Sequence, residues 1–293
     1  MKTNFLFLVL LLSFSFVRAQ DDMLSLLGEE KTIQYTNASF KTNRVINLHS
    51  LENTAGGVLD FKISHRFSTL NGGFYELFGL DNSTIRIGLD YGLSDVLTIG
   101  AGRSSYEKAY DGFIKYKFIR QSTGKRRMPI TAALLLTSAI QTLKWSNPDR
   151  DNFFSNRLYY TSQLIIGRKF SQSFSMQLSP TLVHRNLVKT DIEKNDVYAL
   201  GAAARIKLSR RVALNAEYIY LLPDQVASDY TNSLSVGFDL ETGGHVFQLH
   251  FTNSTSMIEK GFISETTNKW NDGGIHFGFN VSRVFTLKHK NLD

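Results

Sequence analysis

Two of the chain's seven histidines, His245 and His250, lie close together in the stretch GGHVFQLHFTNS, 243–254. Paired histidines suggest a metal site or a catalytic base, so the first question is whether they can act together. The stretch alternates apolar and polar residues as a strand does. Residues an odd number apart on a strand point to opposite faces, so His245 and His250 cannot ligate one ion. His250 and Ser254 share a face, but four residues of strand separate them by about 13 Å. A barrel hydrolase acting on lipid or peptide would therefore need a serine from a neighbouring strand. His276 falls on the face of His250 one strand away, which permits a pair, yet no cysteine or dense carboxylate cluster accompanies it. No catalytic residue, metal or cofactor is expected, and we read the protein as a non-enzyme.

The chemistry with more to say is charge. Asp60, Lys62, Arg66, Arg86, Asp90, Lys115, Lys117, Arg157, Arg205, Lys207, Glu217, Asp239, His250 and His276 fall on one face of successive strand-like segments, with Gln163 and Gln248. Basic residues exceed acidic ones in this set, and rings of Arg and Lys favour anions. One reading is a narrow pore for small anionic solutes. The other is a non-conducting interior filled by ion pairs, with Asp60 and Lys62 facing Arg86 and Asp90, and Arg205 facing Glu217. The sequence pI of 9.4 invites a nucleic-acid reading. The single concentrated basic run, Lys125-Arg126-Arg127, instead reads as a solvated turn, and no nucleic-acid partner is expected.

These side chains require strands to position them. Segments 58–67, 82–92, 96–103, 111–119, 130–141, 157–169, 174–185, 197–208, 212–221, 234–240, 245–253 and 275–287 carry the period-two pattern. Ile85, Ile87, Leu89 and Tyr91 against Thr84, Arg86, Gly88 and Asp90 illustrate it. The opposite face is almost free of charge, as in Leu97, Ile99 and Ala101 or Phe247, Leu249 and Phe251. Short links (92–94, 171–173, 209–211, 241–244) alternate with longer polar ones (68–81, 143–154, 186–195, 222–231, 254–272). Link 121–128 is too long and basic for a tight turn. Outer-membrane barrels show this asymmetry of periplasmic turns and external loops. Charge along the strand middles separates a membrane barrel from a soluble sandwich, because Arg facing lipid at mid-bilayer costs about 2–4 kcal/mol. The expected fold is all-β: a transmembrane up-and-down antiparallel barrel of about 12 strands.

Residues 1–19 read as a signal peptide, with Lys2 before an apolar run and cleavage before Gln20. No other stretch approaches the roughly 18–20 apolar residues of a membrane helix. Cysteine is absent, so stability must come from a large core or from lipid. Residues 20–55 form an arm that either plugs the lumen or stays in the periplasm; 56–288 form the barrel and 289–293 a tail. The expected location is the outer membrane. The expected partners are its lipid, the barrel-assembly and periplasmic chaperone machinery, and, on the pore reading, a small anionic solute. A further reading gives the long link 254–272, with Trp270, to a binding partner.

The stretches FKTNRVINLHSLE, LDFKISHRFSTLNGG, ELFGLDNSTIRIGLDYGLSD, KYKFIRQSTG, QLSPTLVHRNLV, LNAEYIYLLPDQ, GFDLETGGHVFQLHFTNS and GFNVSRVF together resemble an uncharacterised outer-membrane β-barrel family of Gram-negative bacteria, a domain of unknown function (number 5777). The resemblance covers nearly all of the chain after the signal peptide. It implies an outer-membrane barrel and brings no activity, substrate or catalytic residue.

Overall fold

The computed structural model describes residues 32–288. The signal peptide, the start of the arm and the tail 289–293 lie outside the described residues. Twelve strands form one closed antiparallel barrel: β1 (Val58–Thr69), β2 (Ser83–Ser94), β3 (Leu97–Ser104), β4 (Tyr110–Ile119), β5 (Thr131–Ile140), β6 (Leu158–Lys169), β7 (Phe174–Arg185), β8 (Asp196–Lys207), β9 (Val212–Leu221), β10 (Ser233–Thr242), β11 (His245–Thr252) and β12 (His276–Thr286). Each pairs with its sequence neighbours, and β12 closes on β1 from His276↔Thr69 to Thr286↔Val58. Closure leaves no strand edge unpaired, as a lipid-embedded sheet requires.

Alternation sorts the side chains as the period dictates. Outward residues such as Ile87, Ile114, Leu136, Leu178 and Phe251 are exposed, while Arg86, Lys115, Leu135 and His250 between them are buried. Short turns share one end with the start of β1, which fixes that end as periplasmic. Link 120–130 breaks the pattern for a structural reason. Its segment Ser122–Gly124 pairs antiparallel with Ile33–Tyr35 and makes a small ribbon below the barrel mouth.

The lumen is filled. From the ribbon the chain enters the barrel, folds back on itself and leaves at Ala55 to begin β1. Three antiparallel backbone contacts mark the fold: Ser50 N–H to Asn43 O, the Arg44↔His49 bridge, and Val45 N–H to Leu48 O. Phe40, Val45, Ile46, Leu48 and Leu51 are all buried. From the outer end, loop 253–275 folds inward and places a short helix, α1 (Glu259–Ser264), wholly buried above the arm.

Candidate functional site: the filled lumen

The arm turns at Ile46 and Asn47, where a tight turn leaves backbone N–H groups without partners. A wall carboxylate supplies them. Glu217 of β9 accepts from the N–H groups of Ile46 (3.2 Å), Asn47 (2.9 Å) and Leu48 (3.0 Å). Buried N–H groups must be paired, and a carboxylate accepting several at once is a strong acceptor. The Asn47 side chain donates to Ser235 Oγ (3.0 Å) and accepts from Arg66 Nη2 (2.9 Å). Other wall amides serve the arm backbone in the same way. Asn280 donates to Ile46 O, Gln248 to Val45 O, and Gln177 to His49 O while accepting from Leu51 N–H. Lys115 Nζ donates to the carbonyls of Ser50 and Glu52. The wall is shaped to receive this segment.

Charges in the lumen are matched. Lys62 bonds Asp90 (2.7 Å) and lies 3.3 Å from Asp60. Arg86 pairs with Asp111 through two bonds. Arg205 stands 3.9 Å from Asp239, and Arg44 of the arm bonds Glu259 of α1 at 2.5 Å. Arg44, Lys62, Arg66, Arg86, Lys115 and Arg205 thus share the lumen with Asp60, Asp90, Asp111, Glu217, Asp239 and Glu259. Of the expected pairings, Lys62 does meet Asp90 across the two strands, but Arg86 turns to Asp111, and Glu217 serves backbone N–H groups where Arg205 was expected. Arg66 donates to the carbonyls of Ser254 and Ser256 and lies 3.1 Å from His250 Nε2.

Three expected lumen positions belong elsewhere or only partly inside. Lys117 is half-buried beside a small pocket at the periplasmic mouth with Glu52 and Arg120. Lys207 has inward parity but is exposed at the turn. Arg157 has left the wall. It closes the 3₁₀ segment Phe154–Arg157, donates to Gln141 O and Leu143 O, and lies 3.9 Å over the Trp145 ring. It braces an outer loop. His276 is inward, but its Nδ1 meets Phe67 O at 2.7 Å and its Nε2 meets Thr255 and Asn268. His250 and His276 thus have separate partners, and the described residues contain no His, Cys, Asp and Glu cluster able to hold a metal.

The other half of the wall, β5 to β9, adds an apolar cluster among the polar residues of its inner face. Leu135, Ile165, Val183, Val197, Ala199, Ala203 and Ile219 join Phe40, Val45, Leu48 and Leu51 of the arm and Phe262 and Ile263 of α1 in one cluster. Small wall residues admit the arm: a Cβ at Gly201 would stand 3.1 Å from Leu48, and one at Gly167 2.7 Å from Leu51.

Loop 253–275 is the second stopper. Lys260 of α1 is buried and bonds Glu107 (2.7 Å) of the 105–109 loop and Glu265 (2.8 Å). Burial opposes its charge, but the two carboxylates hold its pKa above the usual lysine value. It also lies 4.2 Å over the Tyr159 ring. Trp270 donates to Leu234 O. Most of the segment read as a partner-binding loop is thus turned into the barrel. Deep between arm and wall lies a cavity of about 10 Å³ bounded by Arg44, Lys62, Arg86 and Asn280, room for a single water, while a larger pocket of about 540 Å³ opens at the periplasmic mouth between the arm and the β10–β11 turn.

Closed strands, an outward apolar belt and an interior filled from both ends define an internally plugged outer-membrane β-barrel. The particular family follows from its sequence: residues 40–285 match the membrane bound beta barrel domain (DUF5777), and the chain belongs to that family. No curated protein matches the chain. Among solved structures it is similar to a NanC porin (7% identity, TM-score 0.48, covering 78% of this chain and 98% of that one) and a KdgM porin (8%, 0.46, 78% and 99%). It is also similar to the COG4313 outer membrane channel from Pseudomonas putida F1 (14%, 0.47, 80% and 98%).

Proposed function

We propose that this protein is a closed outer-membrane channel whose own N-terminal arm is the plug, with loop 253–275 as a second stopper above it. The observation that carries this reading is the grip of Glu217 on three successive N–H groups of the arm's turn. A wall built for conduction has no use for such a receptor. Anion selectivity does not follow from the basic residues. With the arm withdrawn, Lys62, Arg66, Arg86, Lys115 and Arg205 would still face Asp60, Asp90, Asp111, Glu217 and Asp239, so the open state has little preference for charge. We also read the protein as a non-enzyme: His250 is bonded to Arg66, and the Ser254 hydroxyl is turned to Ser256 O.

Conductance in planar bilayers tests this. The full chain is expected to be silent or to open briefly, and deletion of residues 40–52 is expected to give steady openings. The chain has no cysteine, so the paired substitutions Asn47→Cys and Ser235→Cys can tie the arm to the wall reversibly. The oxidised pair should abolish openings, and reductant should restore them. A large steady current through the oxidised protein contradicts the plug.

A further inference from the structure

The basic excess of the chain sits at one end of the barrel. The three adjacent periplasmic turns, β4–β5, β6–β7 and β8–β9, carry Arg120, Lys125, Arg126, Arg127, Arg168, Lys169, Lys207, Arg210 and Arg211, and no acidic residue lies in 117–130, 167–174 or 205–212. Lys125, Arg126, Arg127, Arg168, Lys207, Arg210 and Arg211 are exposed. The turns stand two strand spacings apart, about 10 Å, and are joined: Gln121 bonds both the N–H and the carbonyl of Lys169. The outer loops differ, mixing Glu76, Asp81, Asp149, Asp151, Asp191 and Asp229 with their basic residues.

This arc continues the lipid face. Phe118, Phe170, Phe174, Ile206 and Leu208 end the outward apolar belt on these same strands and are exposed. Phe170 and Phe174 stack at 5.6 Å. Arg168 follows Leu164 and Ile166 on the outward parity and lies 5.4 Å from the Phe170 ring. An aromatic belt edged by Arg and Lys is the arrangement that meets phosphate groups at a bilayer surface, with apolar stems in the interface and charged heads at the phosphates. We propose that the arc from the β4–β5 turn to the β8–β9 turn binds the headgroups of anionic phospholipids in the periplasmic leaflet. Arg forks bond phosphate oxygens bidentately while Lys acts as a point charge, and clustered basic residues beside a membrane concentrate anionic lipid.

The test uses the full chain inserted into vesicles of phosphatidylcholine and phosphatidylglycerol in equal parts, extracted gently and weighed by native mass spectrometry. Phosphatidylglycerol is expected to stay bound in several-fold excess over phosphatidylcholine. The variant Lys125→Gln/Arg126→Gln/Arg210→Gln/Arg211→Gln should lose that excess while keeping the heat-modifiable gel migration of a folded barrel. A control in the outer loops, Lys144→Gln/Lys189→Gln/Lys269→Gln, should keep it. Equal retention of the two lipids by the wild type overturns the proposal, as does an excess that survives in the turn variant. Release of the lipid by glycerol phosphate at moderate concentration would also overturn it, since the arc would then bind a soluble anion.

Discussion

The two halves of the lumen wall hold the same arm by different physics. Strands β10 to β12 and β1 to β4 hold it with amides and single cations such as Asn280, Gln248, Arg66 and Lys115, each meeting a particular backbone group or side chain of the arm. Strands β5 to β9 hold it largely with apolar side chains, which attract any apolar surface of the right volume. Glu217 of β9 and Gln177 of β7 are the polar contacts to the arm on that side. The comparison separates adhesion from register. The apolar contacts supply burial, while the polar ones decide which residue of the arm lies where. A one-residue slip of the arm would break the pairings of Asn280, Gln248 and Gln177 with its backbone.

Five variants sharpen or break this division. The largest effect is expected from Lys62→Met. It leaves Asp60 and Asp90 buried without their cation, and breaking a buried pair in this way costs about 3–5 kcal/mol. Urea unfolding of the barrel in vesicles measures it. Leu51→Ala in the apolar half should cost about 2–4 kcal/mol through lost burial and the cavity left behind, with the arm still in register. A chemical cross-link between positions 47 and 235 should therefore still form in that variant and fail when Glu217→Ala removes the grip on the turn. If the cross-link fails in Leu51→Ala as well, the division between adhesion and register collapses.

Gly201→Val is expected to cost about 1–3 kcal/mol, because its side chain enters the space of Leu48 and overpacks the arm. Its unfolding midpoint should fall while conductance events become more frequent. The smallest effect is expected from Arg86→Met/Asp111→Leu together. Replacing both partners of a buried pair by apolar groups of similar volume is often neutral or stabilising. A loss as large as that of Lys62→Met would mean that Arg86 carries some task besides pairing with Asp111.

The barrel itself was legible, and the reason is the period of two. A strand with lipid on one side leaves little freedom about which residues face out, so twelve segments and their faces could be read from alternation. Asp111 is equally readable, since it shares the parity of Lys115 at the start of its strand. The filling of the lumen was harder. FKTNRVINLHSLE has no period, because its polar groups answer to wall residues far along the chain. A signal for the plug did exist: ITAALLLTSAI around β5 and ALGAAARI in β8 are apolar on both faces. A wall apolar inside as well as outside implies an apolar occupant. The pairings themselves were out of reach. Which carboxylate a cation meets depends on strand stagger and side-chain direction, as Arg86 with Asp111 illustrates. Arg157 shows the same limit at a strand end, where parity held but the backbone had already left the wall.

The arm also bears on the order in which the molecule can be built. Its partners lie very far along the chain: Gln177 is 126 residues from Leu51, Arg44 is 215 from Glu259, and Ile46 is 234 from Asn280. Contacts at such separation form late, after intervening chain has been ordered. The segment synthesised ahead of the barrel is therefore the last to find its full set of bonds, once β12 has met β1. Until that seam closes, the arm lies against an incomplete wall, and the finished barrel is wrapped around it much as a mould is closed around its core.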